Sequence, residues 1–220
     1  MYKVLLAVLT LAVALPVSAV SLASETSAQQ TIENKFNIQS LNLDNKTSPF
    51  NLVQKLGEEV FKSVAAAKNQ ETDNQELMQL IVERQLMPYI DVKFASYKIL
   101  GPQLKKSKKD ERVLFVYAMQ KNLVATYSSA LAQYNNQTIK YEPAREVGNK
   151  KTVAVKTELI SPNQPTVNMT FKLRKNKKTG EWKAYDLVVE GISLVDAKRA
   201  ELSKPLRANG IKYVAENLLN

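Results

Sequence analysis

Apolar spacing changes once along this chain, and that change limits the folds open to it. From Pro49 to about Leu131 the apolar residues recur at helical intervals. From Thr138 to Val189 they alternate with polar ones, as in half-buried strands. Helical spacing resumes after Ser193. Helices first, a sheet next and helices last describe an α+β fold: one apolar sheet face covered by helices.

The helical part divides at its breakers. Ser48 is placed to cap a helix with Pro49 at its first position, and Leu52, Val53, Leu56, Val60 and Val64 form its stripe. A second helix is expected from Thr72-Asp73, with Glu76 three residues after Asp73, up to Pro88. A third should run from Pro88 to Leu100 and stop at Gly101-Pro102. The basic stretch Lys105-Lys106-Ser107-Lys108-Lys109 leads to a long fourth helix, for which Ser107 and Asp110 offer a capping box.

Four antiparallel strands are expected from Thr138–Tyr141, Thr152–Leu159, Thr166–Arg174 and the stretch beginning at Trp182. In the second, Val153, Val155, Thr157 and Leu159 share a face; in the third, Val167, Met169, Phe171 and Leu173 do. Tyr185, Leu187 and Val189 share one face of the fourth, which should leave through Gly191 directly into a helix. Two helices are expected after Ser193, with Pro205 and Asn209-Gly210 at their junction.

Residues 1–19 read as a secretory signal peptide: Lys3, an apolar run from Val4 to Leu15, and the small-x-small triplet Val17-Ser18-Ala19. The chain has no Cys, which excludes a lipoprotein anchor and any disulfide. Residues 20–48 are rich in Gln, Asn, Ser and Thr and read as a flexible leader, leaving residues 49–220 as a single domain. His is absent as well, which removes the commonest general base and metal ligand. The expectation is no catalytic residue, no metal and no cofactor. The formal net charge of +10 becomes about +9 without Lys3. For an exported chain without aromatic-basic motifs, this speaks against nucleic acid and for anionic partners or a solvated surface.

Periodicity alone leaves the inward sheet face (Val153, Val155, Met169, Phe171, Leu187 and Val189) open to two readings, a dry core or the wall of a cavity. The run Trp182-Lys183-Ala184-Tyr185-Asp186-Leu187-Val188-Val189-Glu190-Gly191-Ile192-Ser193-Leu194-Val195 resembles the MlaC family of periplasmic phospholipid-binding proteins, also called the toluene-tolerance auxiliary family. So does Gln85-Leu86-Met87-Pro88-Tyr89-Ile90-Asp91-Val92-Lys93-Phe94-Ala95 with Ile99-Leu100-Gly101, and the likeness spans roughly Pro49 to Leu218.

The resemblance implies a curved sheet embraced by helices around an NTF2-like cavity with an apolar interior, holding a phospholipid's tails as cargo. Besides the six sheet residues, Phe94, Tyr97, Met119 and Leu123 would line that cavity or pack helix against helix, and Ile192 would lie near its rim. The implied function is shuttling lipid between an outer-membrane lipoprotein (MlaA-like) with its porin and an inner-membrane ABC transporter complex (MlaD-like component). This would maintain outer-membrane lipid asymmetry. Arg112, Lys156, Arg174 and Lys175 are candidates for docking those partners, with solubility as the other reading. Two alternatives stand beside carriage: an enzyme using Asp186, or a lipid-free adaptor. Alternation places Asp186 on the opposite, solvated face.

Overall fold

The computed structural model describes residues 38–69 and 74–219. Helix α1 (Pro49–Lys68) starts as expected, with Ser48 Oγ accepting from the Asn51 N–H at 3.3 Å and Pro49 in the first turn. Helix α2 (Asn74–Ile81) follows; its expected cap at Thr72-Asp73 lies outside the described residues.

Pro88 makes itself felt before its own position. Its ring would collide with the carbonyl four residues back, and the chain widens into a π turn (Val82–Leu86) before tightening into a 3₁₀ turn (Met87–Tyr89). Helix α3 (Val92–Leu100) therefore starts later than the expected Pro88, where Asp91 Oδ1 accepts from the Phe94 N–H at 3.0 Å. A short α4 (Gln103–Lys106) takes up part of the basic stretch, and the long α5 (Lys109–Ala132) follows. Its cap differs from the one expected. The Glu111 carboxylate accepts from the Lys108 N–H at 2.7 Å, while Ser107 Oγ donates to the Leu104 carbonyl at 2.7 Å.

Strands β1 (Thr138–Tyr141), β2 (Thr152–Ile160), β3 (Val167–Lys175), β4 (Trp182–Val189) and β5 (Ile192–Ser193) form one antiparallel sheet in chain order. The sheet thus has five strands and not four. Glu190 (φ 48°) and Gly191 (φ 82°) both sit at positive φ, the requirement of a tight two-residue hairpin turn, so the chain pairs back on β4 before turning helical. Helix α6 (Leu194–Leu219) is broken at Gly210 (φ 80°); Pro205 lies inside its first segment and not at the junction.

A bulge alters the face of β4. Leu173 pairs with Ala184 and Lys172 with Asp186, leaving Tyr185 as the extra residue. Ala184 therefore joins the inward face with Leu187, and Tyr185 turns to α3, where its ring meets Phe94 edge-on at 5.0 Å.

Three apolar clusters hold the layers together. Phe115, Ala118 and Met119 of α5 pack with Ile99 of α3 and with Leu202 and Val214 of α6. The second half of α1 (Val60, Val64) packs on Leu77, Met78 and Ile81 of α2. The first turns of α1 (Phe50, Leu52, Val53) close over Val155, Leu173 and Trp182 of the sheet. The segment before α1 is tied to the same cluster. Leu41 and Leu43 pack on it, the Tyr89 hydroxyl donates to the Leu41 carbonyl at 2.7 Å, and the Trp182 N–H donates to the Asn45 carbonyl at 2.6 Å.

Candidate functional site: the inward face of the sheet

The register arranges the inward face in rows. Val153, Leu173 and Ala184 form one row, and Val155, Phe171 and Leu187 the next. Tyr141, Thr157, Met169 and Val189 form a third, and Ile139, Leu159 and Val167 a fourth. The helices cover these rows unequally. Val155 and Leu173 are each 1 % exposed beneath α1, with Val153, Phe171 and Ala184 packed around them. Tyr141 also reaches α1, at Gly57, where a Cβ would stand 2.1 Å from its hydroxyl oxygen; only glycine admits the ring so close.

Beyond that point the covering thins. Leu187, Val189, Ile139, Leu159 and Val167 are half-buried, and among the described residues neither they nor Met169 belong to the three packed clusters. At about 3.3 Å per residue and 4.8 Å per strand, the strip they form runs about 13 Å along β2 and about 14 Å across the sheet. Apolar alternation of this kind ordinarily ends in a closed core. Here one half is packed under α1, while in the other Thr157 and Met169 are buried and their apolar neighbours only half-buried.

The expected lining residues divide accordingly. Met169, Leu187 and Val189 lie on the open half, Phe171 at the boundary, and Val153 and Val155 under α1. Met119 is 2 % exposed inside the helical cluster, with Leu123 and Tyr97 packed against it. Phe94 sits between Tyr185 and the Arg174 guanidinium, which lies 4.2 Å from its ring centre. Ile192, on β5 at the sheet edge, is half exposed. Thr157, Leu159, Val167 and Ile139 complete the strip although sequence reasoning gave them no role. The signal for Thr157 was a hydroxyl in an otherwise apolar alternation.

The other face is not solvated at Asp186, contrary to expectation. Its side chain is 2 % exposed and accepts from Lys172 Nζ at 2.9 Å, Ser193 Oγ at 2.8 Å and the Val195 N–H at 3.1 Å. The hydrogen bond to this carboxylate raises the Lys172 pKa. Burial, and then the same negative charge, push the Tyr127 phenol up to about 12. The bond to Val195 anchors the start of α6, and Ser193 Oγ in turn accepts from the Asp196 N–H at 3.1 Å. This is a junction of β3, β4, β5 and α6.

Two docking candidates have structural work of their own. Arg174 pairs with Asp91 at 2.8 Å as well as covering Phe94, and Arg112 donates to the Ser107 carbonyl at 2.9 Å. Lys175 Nζ lies over the Trp182 ring at 5.6 Å, and the Lys156 side chain is exposed.

Comparison with known proteins bears on what such a face holds. A family model described as MlaC protein matches residues 54–220. The intermembrane phospholipid transport system binding protein MlaC of Haemophilus influenzae is 30% identical over 152 residues, covering 69% of this chain and 71% of that protein. A toluene tolerance protein of Pseudomonas putida is 26% identical over 165 residues, 74% of this chain and 75% of that one. Among solved structures, a phospholipid-binding protein from Ralstonia solanacearum, in complex with a phospholipid, superposes with a TM-score of 0.68 at 19% identity. That superposition covers 78% of this chain and 94% of the other, and it shows a shared fold. With an α+β fold of this kind and a family match reaching from α1 to the last residue, the chain belongs to the MlaC family.

Proposed function

We propose that this chain is an exported, periplasmic phospholipid carrier that holds acyl tails against the open half of the inward sheet face and leaves the headgroup in water. The observation that carries the reading is the strip of Ile139, Leu159, Val167, Met169, Leu187 and Val189, apolar yet outside the packed clusters among the described residues. What the relatives are named for supports it: intermembrane phospholipid transport in one, a bound phospholipid in another. Each methylene withdrawn from water contributes about 0.8 kcal/mol, so two ordinary tails represent roughly 20 kcal/mol of exposure. A groove for one tail leaves half of that unrelieved, so a carrier encloses both in an apolar cavity.

In this reading residues 1–19 are removed on export, and the carrier meets an outer-membrane lipoprotein (MlaA-like) with its porin and an inner-membrane ABC transporter (MlaD-like component) in turn. Carriage requires no nucleophile. Asp186, with its oxygens engaged on the opposite face, supports an architectural role over an enzymatic one.

The test is organic extraction of the protein purified from the periplasm, followed by mass spectrometry. About one phospholipid per chain is expected. A lipid-free extract from protein that still binds its membrane complex would replace the carrier with an adaptor.

A further inference from the structure

Thr157 is 3 % exposed, and its Oγ1 has no hydrogen-bond partner among the described residues. Such an atom gives up its bonds to water on folding and gains nothing in return, which is why buried hydroxyls are nearly always paired. The other buried side-chain atoms in the same condition among the described residues are Gln85 Oε1 and Ser96 Oγ on the helical side and Trp182 Nε1 under α1. Thr157 differs in its place on the sheet. It stands in the row of Met169 and Val189, between the row of Leu159 and Val167 and that of Phe171 and Leu187.

We propose that Thr157 is the polar anchor for the cargo, its hydroxyl donating to an ester carbonyl where an acyl tail joins glycerol. The inference deepens the carrier reading and rests on it. The chemistry of the row selects the acceptor. One neutral hydroxyl among apolar side chains matches a neutral carbonyl; a phosphate there would bring a full charge with no cation in the row to balance it. Position agrees with this choice. Thr157 is in the middle row of the strip, with apolar rows about 7 Å away on either side, so the group held there is flanked by hydrocarbon and not by the water around a headgroup. Met169 beside it is a flexible side chain that adapts to tails of different shape.

The experiment uses delipidated protein loaded from vesicles containing equal parts of diester and diether phosphatidylglycerol of the same chain length. Bound lipids are then counted by mass spectrometry. The ether keeps shape and charge but has no carbonyl. Wild-type protein should enrich the diester about threefold to tenfold, the affinity equivalent of one hydrogen bond. Thr157→Val, which keeps the shape, should bind both lipids equally, and Thr157→Ser should keep the preference. Equal binding by the wild type, or a preference that survives in Thr157→Val, overturns the anchor while the carrier stands. If neither lipid loads, the carrier reading and the anchor both fall.

Discussion

Replacing Asp186 with alanine should destabilise the fold without emptying the site. The magnitude follows from what the carboxylate holds. The Val195 N–H is buried at a helix start, and losing its acceptor costs about 1–3 kcal/mol. Breaking a buried ion pair by removing one partner ordinarily costs about 3–5 kcal/mol, because the other charge stays stranded. Lys172 is not stranded: its side chain is 36 % exposed and can turn its ammonium to water. Ser193 Oγ is half-buried and also recovers part of its loss. The sum stays near the lower bound, about 3 kcal/mol, which in a chain of this size lowers Tm by about 6–12 °C.

Thermal unfolding followed by circular dichroism measures it. Asp186→Asn keeps an oxygen for Val195 and loses only the ionic part, so it should cost about 1 kcal/mol. In Lys172→Met with Asp186→Ala the two losses should add to less than their sum. Since Asp186 lies on the face away from the strip, lipid per folded molecule should equal that of the wild type. An Asp186→Ala protein melting within about 2 °C of wild type would refute the junction, and one that is stable but lipid-free would return Asp186 to the site.

Leu187→Glu or Met169→Glu should lower co-purified lipid with the circular dichroism spectrum intact. Val155→Glu, beneath α1, should instead unfold the chain; intact spectra with full lipid in all three would remove the division of the sheet face. Charge reversal at Lys156 should slow docking to a membrane complex at low salt, whereas Arg174→Glu should mainly lower Tm, because Asp91 and Phe94 lose their partner; identical association rates at low and high salt for wild type and Lys156→Glu would assign that residue to solubility. Stability should fall above pH 10. Tyr127 and Tyr141 keep their protons to about 12 in the folded state against 10.0 unfolded, and Lys172 is also shifted upward. Each contribution is complete below the unfolded pKa and lost as pH rises through the folded one. Tyr127→Phe should flatten the decline, and a wild type equally stable at pH 10 and 12 contradicts the assignment.

Periodicity made the strand faces of β2 and β3 legible, and Ser48-Pro49 marked the start of α1. What escaped depended on tertiary partners. The bulge at Tyr185 leaves no mark in a run of alternating residues, yet it turns an aromatic ring from one side of the sheet to the other. Asp91 as the cap of α3 depends partly on β4, where its N–H donates to the Ala184 carbonyl at 2.7 Å. Alternation gives Asp186 its correct face and the wrong environment, because it carries direction and not what lies beyond. Arg174 and Arg112 show the same limit for charge: their partners, not the net +10, decide what they do.

The division of the inward face also explains how one sheet can be both stable and receptive. Val155, Leu173 and Trp182 are fully packed, and truncating large side chains at such positions costs about 2–5 kcal/mol each, so this half and the helical cluster carry much of the apolar packing. The open half is then free of that duty. A site formed by removing side chains from an ordinary core would be a cavity that the fold tends to collapse. A strip that the helices cover only in part, with Thr157 and Met169 buried at its centre, keeps its register through the strand ladder. For a carrier this matters at handover. In the carriage proposed above, tails leaving such a strip for a bilayer would exchange one apolar environment for another, so the hydrophobic term would nearly cancel and the docked partner would decide where the lipid goes.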